Sequence, residues 1–208
     1  SEKFEIGRNF CNKLWNSARF AFMNLEDVPC APINLADLPP EDRWILACLS
    51  RTTREVHAEL AGYRFSTAIK LLRDFFWDAF CDWYVELSKS ILNGEDEAAK
   101  AETRAATAWA LDQILLLLHP FMPFITEELW QQTAGEEPRG SMLVQASWPQ
   151  YEGLEAADAS EEIDWIVRLI TEIRSVRSEM NVPAGARVPC VLAHPSEQSK
   201  TRAQAWMA

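Results

Sequence analysis

Apolar residues recur at helical spacing over the first 25 positions. Phe4, Cys11, Leu14, Ala18, Phe22 and Leu25 share one face and predict a helix over 4–25. Pro29 and Pro32 end it in a loop. The segment "DLPPEDRWILACLSRTTREVHAEL" predicts a second helix, capped by Asp37 or its neighbour, with prolines and then acids in its first turn. A third is predicted over 66–92, with Ile69, Leu72, Phe76, Phe80, Trp83, Leu87 and Ile91 as its core stripe and Gly94 as its stop. A fourth covers roughly 96–118, and a short fifth about 124–133. After that the texture changes. "SMLVQASWP" and "ARVPCVLAHP" predict short strands around a helix at about 160–180 that carries Ile163, Val167, Ile170 and Ile173. The predicted fold is mainly α. An antiparallel helix bundle over 1–135 is followed by a small α/β appendage over 136–208 that is truncated. The chain opens without Met and closes on "QSKTRAQAWMA", inside a helical pattern, which reads as a piece of a longer protein.

The break between the fourth and fifth helices, "LLLLHPFMPFITEELWQQ", holds His119 near two carboxylates, Glu127 and Glu128. A catalytic or metal-binding His needs partners at a workable spacing, and a helix corner explains these residues without one. His119 precedes Pro120, a position pushed out of the α region and suited to a helix terminus. The acids are expected in the first turn of the next helix, where the dipole favours them. His57 and His194 are isolated. "SKS" at 88–90 lies inside the third predicted helix and not on a mobile phosphate-binding loop.

Composition narrows the classes further. The chain is 48% hydrophobic with nine Trp and ten Phe, which suits packed helices, and its seven Gly argue against a strand-and-turn architecture. The five cysteines, at 11, 30, 48, 81 and 190, have no zinc spacing and no secreted disulfide pattern, so reduced, mostly buried thiols are expected. The aliphatic run Ile114–Leu118 is far short of the roughly 20 residues a membrane span requires. The net charge of −11 excludes a broad nucleic-acid surface but permits a local patch.

Such a patch lies on the first helix. Arg8, Asn9, Asn12, Lys13, Asn16 and Arg19 fall opposite its core stripe, with Phe20 among them and Trp15 at the rim. No acid occurs from Gly7 to Leu25. Residues 1–25 carry net +2, which leaves −13 on the other 183 residues. Amides suit base edges, cations suit phosphates, and an exposed ring suits stacking on unpaired RNA. A polar face covered by another domain fits the same pattern. Asp74, Asp78, Asp82 and Glu86 form an i, i+4 row on the third helix. A free-standing metal enzyme on that row would want His or Cys partners that are not apparent. A solvated face is the plainer reading, although a carboxylate can also accept a hydrogen bond from the cytosine amino group. Arg174 and Arg177, near the end of the 160–180 helix, suit its C-terminal dipole, a partner element or RNA.

"GRNFCNKLWNSARFAFMNL" (7–25), "DRWIL" (42–46), "FCDWYVELSK" (80–89), "LHPFMPFITEELWQQ" (118–132) and "IRSVRSEMNVPAG" (173–185) occur in this order. Together they resemble the C-terminal half of the bacterial valine–tRNA ligases, which are class I aminoacyl-tRNA synthetases; the isoleucine and leucine enzymes have related corners. The resemblance implies that 1–135 is the helical anticodon-binding domain and that 136–208 is a connector leading to a C-terminal coiled coil. It places the catalytic and editing domains before residue 1, so ATP and Mg belong to the parent enzyme and no cofactor or catalytic residue is expected here. The implied partner is the anticodon stem-loop of valine tRNA, bound by a cytoplasmic monomer with no membrane contact. Arg8, Asn12, Asn16 and Arg19 would meet bases or phosphate, Trp15 or Phe20 would stack, and Asp82 and Glu86 would border the pocket. A rival class is a helical protein-interaction module that presents the same face to another protein.

Overall fold

The structure, a computed structural model, describes residues 2–25, 38–134, 139–183 and 185–206. It divides into two compact units, Ser1–Ala156 and Ala157–Ala208.

In the first unit, α1 (Glu2–Leu25) is followed by α2 (Pro40–Ala61), where Pro40 takes the first-turn position that tolerates a missing N–H. The predicted Asp37 cap lies outside the described residues. Pro39 stands at the cap position and makes no side-chain cap bond. A tight turn leads to α3 (Phe65–Asp74), which continues without a break through a π-helical segment (Phe75–Tyr84) into α4 (Val85–Leu92). The Val85 N–H reaches back five residues to the Phe80 carbonyl. Asp96 then caps α5 (Glu97–Leu118) by accepting from the Ala98 and Ala99 N–H groups at 3.0 and 3.1 Å. The short α6 (Pro123–Gln132) closes one end.

The π segment sets which residues face inward. Leu72, Phe76, Phe80, Tyr84 and Ser88 are all buried at a spacing of four. In an α-helix a four-residue step overshoots a full turn by about 40°. The wider π turn takes up that overshoot, so the stripe stays on one face through the bend. The predicted stripe is correct at Leu72, Phe76 and Phe80 but not at Ile69, which is 46% exposed, and it omits the fully buried Tyr84.

Residue pairings give the directions of the helices. Phe10 packs edge-on against Phe76 with centroids 5.3 Å apart, and Ser17 Oγ lies 3.1 Å from Cys81 Sγ, so α1 and the α3–α4 rod run the same way. Asp42 near the start of α2, Tyr84 near the end of the π segment and Thr103 near the start of α5 meet at one level. That makes α2 and α5 antiparallel to the other pair, an up-down-up-down bundle. Its core is aromatic and aliphatic: Leu14, Ile45, Leu49, Phe76, Phe80, Tyr84, Leu111 and Leu115 are each at most 1% exposed. The predicted core stripe of α1 holds at Leu14 and Ala18, whereas Phe4 is 80% exposed. The Phe22 and Leu25 side chains lie outside the described residues.

Inside this core Asp42 carries no exposed surface. It accepts from the Tyr84 hydroxyl and the Thr103 hydroxyl, each at 2.7 Å, and Tyr84 also lies 2.8 Å from Thr107 Oγ1. Burial is the largest influence on this carboxyl and raises it to about 6 against those hydrogen bonds. The hydroxyls join α2, the π segment and α5 through a polar centre.

The corner behaves as a corner, with two corrections to its predicted geometry. His119 keeps α dihedrals despite preceding Pro120, and the chain leaves the helical region at Met122, before Pro123. Glu127 and Glu128 sit beyond the first turn of α6. His119 Nδ1 lies 2.8 Å from Oγ1 of the buried Thr126, whose hydroxyl also reaches the Met122 carbonyl at 2.8 Å. Glu127 accepts the Leu143 N–H at 2.8 Å and so holds the following segment. That segment is not a strand. Residues 141–150 contain a single 3-10 turn (Leu143–Gln145) in otherwise irregular backbone. It is pinned by Arg139, whose Nη2 donates to Asp112 Oδ1 at 2.7 Å, and by Tyr151, whose hydroxyl donates to Gln113 at 2.7 Å.

In the second unit, α7 (Ala157–Glu179) ends on Asn181 in the left-handed region at φ 50°. The Val182 N–H returns to the Arg177 carbonyl and the Asn181 N–H to that of Ser178, a Schellman closure with Asn in place of the usual Gly. Ile163 and Ile166 of α7 are buried, while Val167, Ile170 and Ile173 are half-buried. Residues 186–195 form no strand, and α8 (Glu197–Trp206) follows. Trp206 Nε1 donates to Glu162 of α7 at 2.7 Å. The predicted α/β character of this region is therefore corrected: the described residues contain helices and irregular backbone but no strand. Val188 and Val191 have β-forming character, yet no neighbouring strand supplies ladder partners for them.

Candidate nucleic-acid interface

Small and aliphatic residues on one side of α1 let it sit close to the bundle: Leu14 and Ala18 are fully buried and Ala21 is 2% exposed. That leaves Arg8, Asn9, Asn12, Asn16 and Arg19 exposed along the other side, with Trp15 39% exposed at its edge. Phe20 is half-buried and has contacts of its own.

Lys13 differs from its neighbours. Its ammonium group donates to Asp82 Oδ1 at 2.5 Å and stands 4.4 Å from the centroid of the Trp77 ring. Charge on this flank of α1 is therefore already matched by the rod beneath it. Asp82 remains 48% exposed, with one oxygen taken up by Lys13. Glu86, one turn on, accepts from Lys89 at 2.6 Å, and Asp74 accepts from Lys70 at 2.5 Å and from Arg73. These two cations hold Asp74 below the usual carboxylate range. The i, i+4 row is thus a solvated face whose members are paired one by one with cations, except Asp78, which is exposed. Just below Asp82, the Cys81 thiol is pushed up to about 11 by burial.

The structure brings Lys13 and Asp82 together and keeps Arg8, Asn12, Asn16 and Arg19 on a common exposed face. Trp77 also belongs to this site, and helical periodicity alone does not single it out. Its indole supports Lys13 from below, and its place beside the core residue Phe76 was the available clue. The "SKS" serines turn back on their own helix: Ser88 donates to the Val85 carbonyl and Ser90 to that of Leu87. Arg177 donates to the Pro183 and Ala186 carbonyls at 2.9 and 3.0 Å, which accounts for its position near the apolar side of α7.

An up-down-up-down bundle with one helix displaying an acid-free row of cations and amides is an arrangement suited to binding a nucleic acid. Residues 42–192 match the family described as "Anticodon-binding domain of tRNA ligase", and the chain belongs to that family. Among curated proteins, it is 52% identical over 192 residues to the valine–tRNA ligase of Brucella suis, covering 89% of this chain and 20% of that protein. It is 47% identical over 210 residues to the valine–tRNA ligase of Caulobacter vibrioides, covering 97% of this chain and 22% of the relative. The valine–tRNA ligase of Nitrobacter winogradskyi is 42% identical over 233 residues, covering 99% and 24%. The chain spans about a fifth of the length of the curated relatives it matches. Although α1 precedes the family match, the 97% coverage by the Caulobacter protein necessarily takes in most of it. Among the described residues, no helix is long and apolar enough to cross a membrane.

Proposed function

We propose that this chain binds the anticodon stem-loop of valine tRNA and so helps a valine–tRNA ligase to select its substrate. The observation that carries the reading is the exposed α1 face: Arg8, Asn12, Asn16 and Arg19 lie together, and no acid occurs from Gly7 to Leu25. Cations on such a face meet phosphates, amides bond the edges of unpaired bases, and Trp15 or Phe20 offers a ring for stacking. Asn9 and Lys13 extend the row, while Asp82 and Glu86 border it. The acidic remainder of the chain repels non-specific nucleic acid and confines binding to this strip.

In this reading residues 1–135 are the anticodon-binding bundle, and 136–208 connect it to a coiled coil elsewhere in the whole protein. The catalytic and editing parts of that protein supply ATP-dependent valine attachment with Mg, and this chain supplies tRNA contacts only. The whole enzyme acts as a cytoplasmic monomer. On its own the bundle binds weakly, since the acceptor-arm contacts that raise effective concentration are absent.

The test is a titration, followed by Trp fluorescence, with a synthetic valine anticodon stem-loop and with one whose middle anticodon base is changed, at two salt concentrations. Discrimination that weakens with salt and disappears in Arg19→Ala or Asn12→Ala supports anticodon reading by α1. Equal binding of both loops leaves only backbone recognition. Absence of binding at low salt favours the protein-interaction module. Preference for an isoleucine or leucine tRNA loop reassigns the amino acid.

A further inference from the structure

Arg104 of α5 differs from the other arginines of the bundle. It is half-buried, its Nε is closed off from solvent, and that nitrogen has no hydrogen-bond partner. Among the described residues its guanidinium forms no ion pair; Glu97 is bonded to Lys100 at 2.7 Å and feels Arg104 only at longer range. A guanidinium stays charged in any protein environment, so folding leaves one buried N–H donor of a permanent cation without an acceptor here.

Its position suggests what compensates it. Lys100 and Leu118 are 18 residues apart, about five helical turns, and so share one side of α5. Leu118 lines a groove with Ile6, Phe10 and Cys11, so that side faces α1. Arg104 stands one turn beyond Lys100, on the rim of the same side. On α1, Phe10, Lys13 and Ser17 mark the flank that rests on the π segment. Across the buried Leu14 and Ala18, the opposite flank carries Trp15 and Arg19 and borders α5, the helix against which α1 chiefly packs. The two helices are antiparallel, so the C-terminal half of α1 meets the N-terminal half of α5. Helical spacing and this antiparallel packing turn Arg19 and Arg104 towards the same seam, with Lys100 one turn before Arg104. Ala101, Ala105 and Ala108 keep the outer wall of α5 low there. The other flank has Lys13 already bonded to Asp82, with Asp78 and Glu86 exposed nearby.

We infer that the RNA backbone lies along the α1–α5 seam, with phosphates on Arg104 and Arg19, and not over the carboxylate row. The inference rests on the anticodon-binding reading above and adds Arg104 as a phosphate ligand. A guanidinium meets phosphate through paired N–H donors, so its exposed end suits a backbone passing over the seam.

The test compares the chain with Arg104→Gln, Arg104→Lys and Lys100→Gln, titrating each with the synthetic valine anticodon stem-loop across a salt series. Arg104→Gln should bind on the order of tenfold more weakly at low salt, with a log–log salt slope shallower by about one. Arg104→Lys should recover much of the loss. The Tm of Arg104→Gln should be unchanged or higher, because a structural arginine would be missed on unfolding and this one has nothing to lose. If the parent chain binds the loop but Arg104→Gln and Lys100→Gln match it in affinity and slope, the seam is wrong and the anticodon reading stands. A lower Tm with affinity retained likewise makes Arg104 structural. Failure of the parent chain to bind overturns the anticodon reading, and the seam with it.

Discussion

Tyr84 donates its phenolic hydrogen to Asp42 Oδ1 at 2.7 Å, and both groups lie wholly inside the bundle. The carboxyl is held by hydroxyls from two other elements, and burial makes its ionised form costly enough to raise it to about 6. A carboxyl whose pKa is higher folded than unfolded binds its proton more tightly in the native state. It therefore adds stability as pH falls from above 6 towards 4 and loses it again as pH rises. Compared with Asp42→Asn, the parent chain should gain up to about 3 kcal/mol between pH 7 and pH 4. Urea unfolding of both proteins across that range would show it, and parallel pH curves would refute it.

Removing the phenol leaves the same carboxylate with one fewer donor. Tyr84→Phe should lower stability by about 1–3 kcal/mol at pH 7, the cost of a buried acceptor left short. The loss should shrink as the solution is acidified and Asp42 takes up its proton.

Tyr63 closes α2 in the left-handed region at φ 58°, one residue after Gly62, with its ring 82% exposed. A side chain there is strained, and only its edge-on contact with Phe65 is lost on truncation. Tyr63→Gly should raise stability by about 0.5–1 kcal/mol despite the looser unfolded chain. A drop in Tm would mean that the aromatic contact outweighs the strain.

His119→Ala should cost about 1 kcal/mol, since Thr126 keeps its bond to the Met122 carbonyl. Discrimination between anticodon loops should be unaffected. If that variant kept its Tm but lost discrimination, the corner would belong to the RNA site.

Thiol accessibility separates the cysteines. Cys190 is exposed, whereas Cys48 and Cys81 are buried and the Cys81 thiol is pushed up to about 11. Among the described cysteines Cys190 should be alkylated first and Cys81 only as the protein opens, as mass spectrometry of timed labelling would resolve. Early labelling of Cys81 would contradict its packing under Ser17.

Helical periodicity was readable wherever an element had one wet and one buried side. The extents of α1, α5 and α6 follow from it, and so does the run of cations and amides along α1. It could not register the π segment, because a wider turn leaves the same apolar residues in the same order. Nor could it separate a strand from irregular backbone at Val188 and Val191, since a strand exists only through its neighbours. Within the candidate site, the list of residues was legible but not their pairing. Lys13 and Asp82 are 69 positions apart, and only the packing of α1 on the rod makes them one ion pair.

The sequence by itself determined the helices, the corner at His119–Pro123 and the family, because these depend on local spacing and on motifs preserved in order. Tertiary structure alone decided which charges remain available. It consumed Lys13 against Asp82, folded Arg177 onto nearby carbonyls, buried Asp42 among hydroxyls and, among the described residues, left the Arg104 Nε buried without an acceptor. Charge availability depends on contacts between distant segments and on how much water each group keeps, and neither is written in the order of residues along the chain.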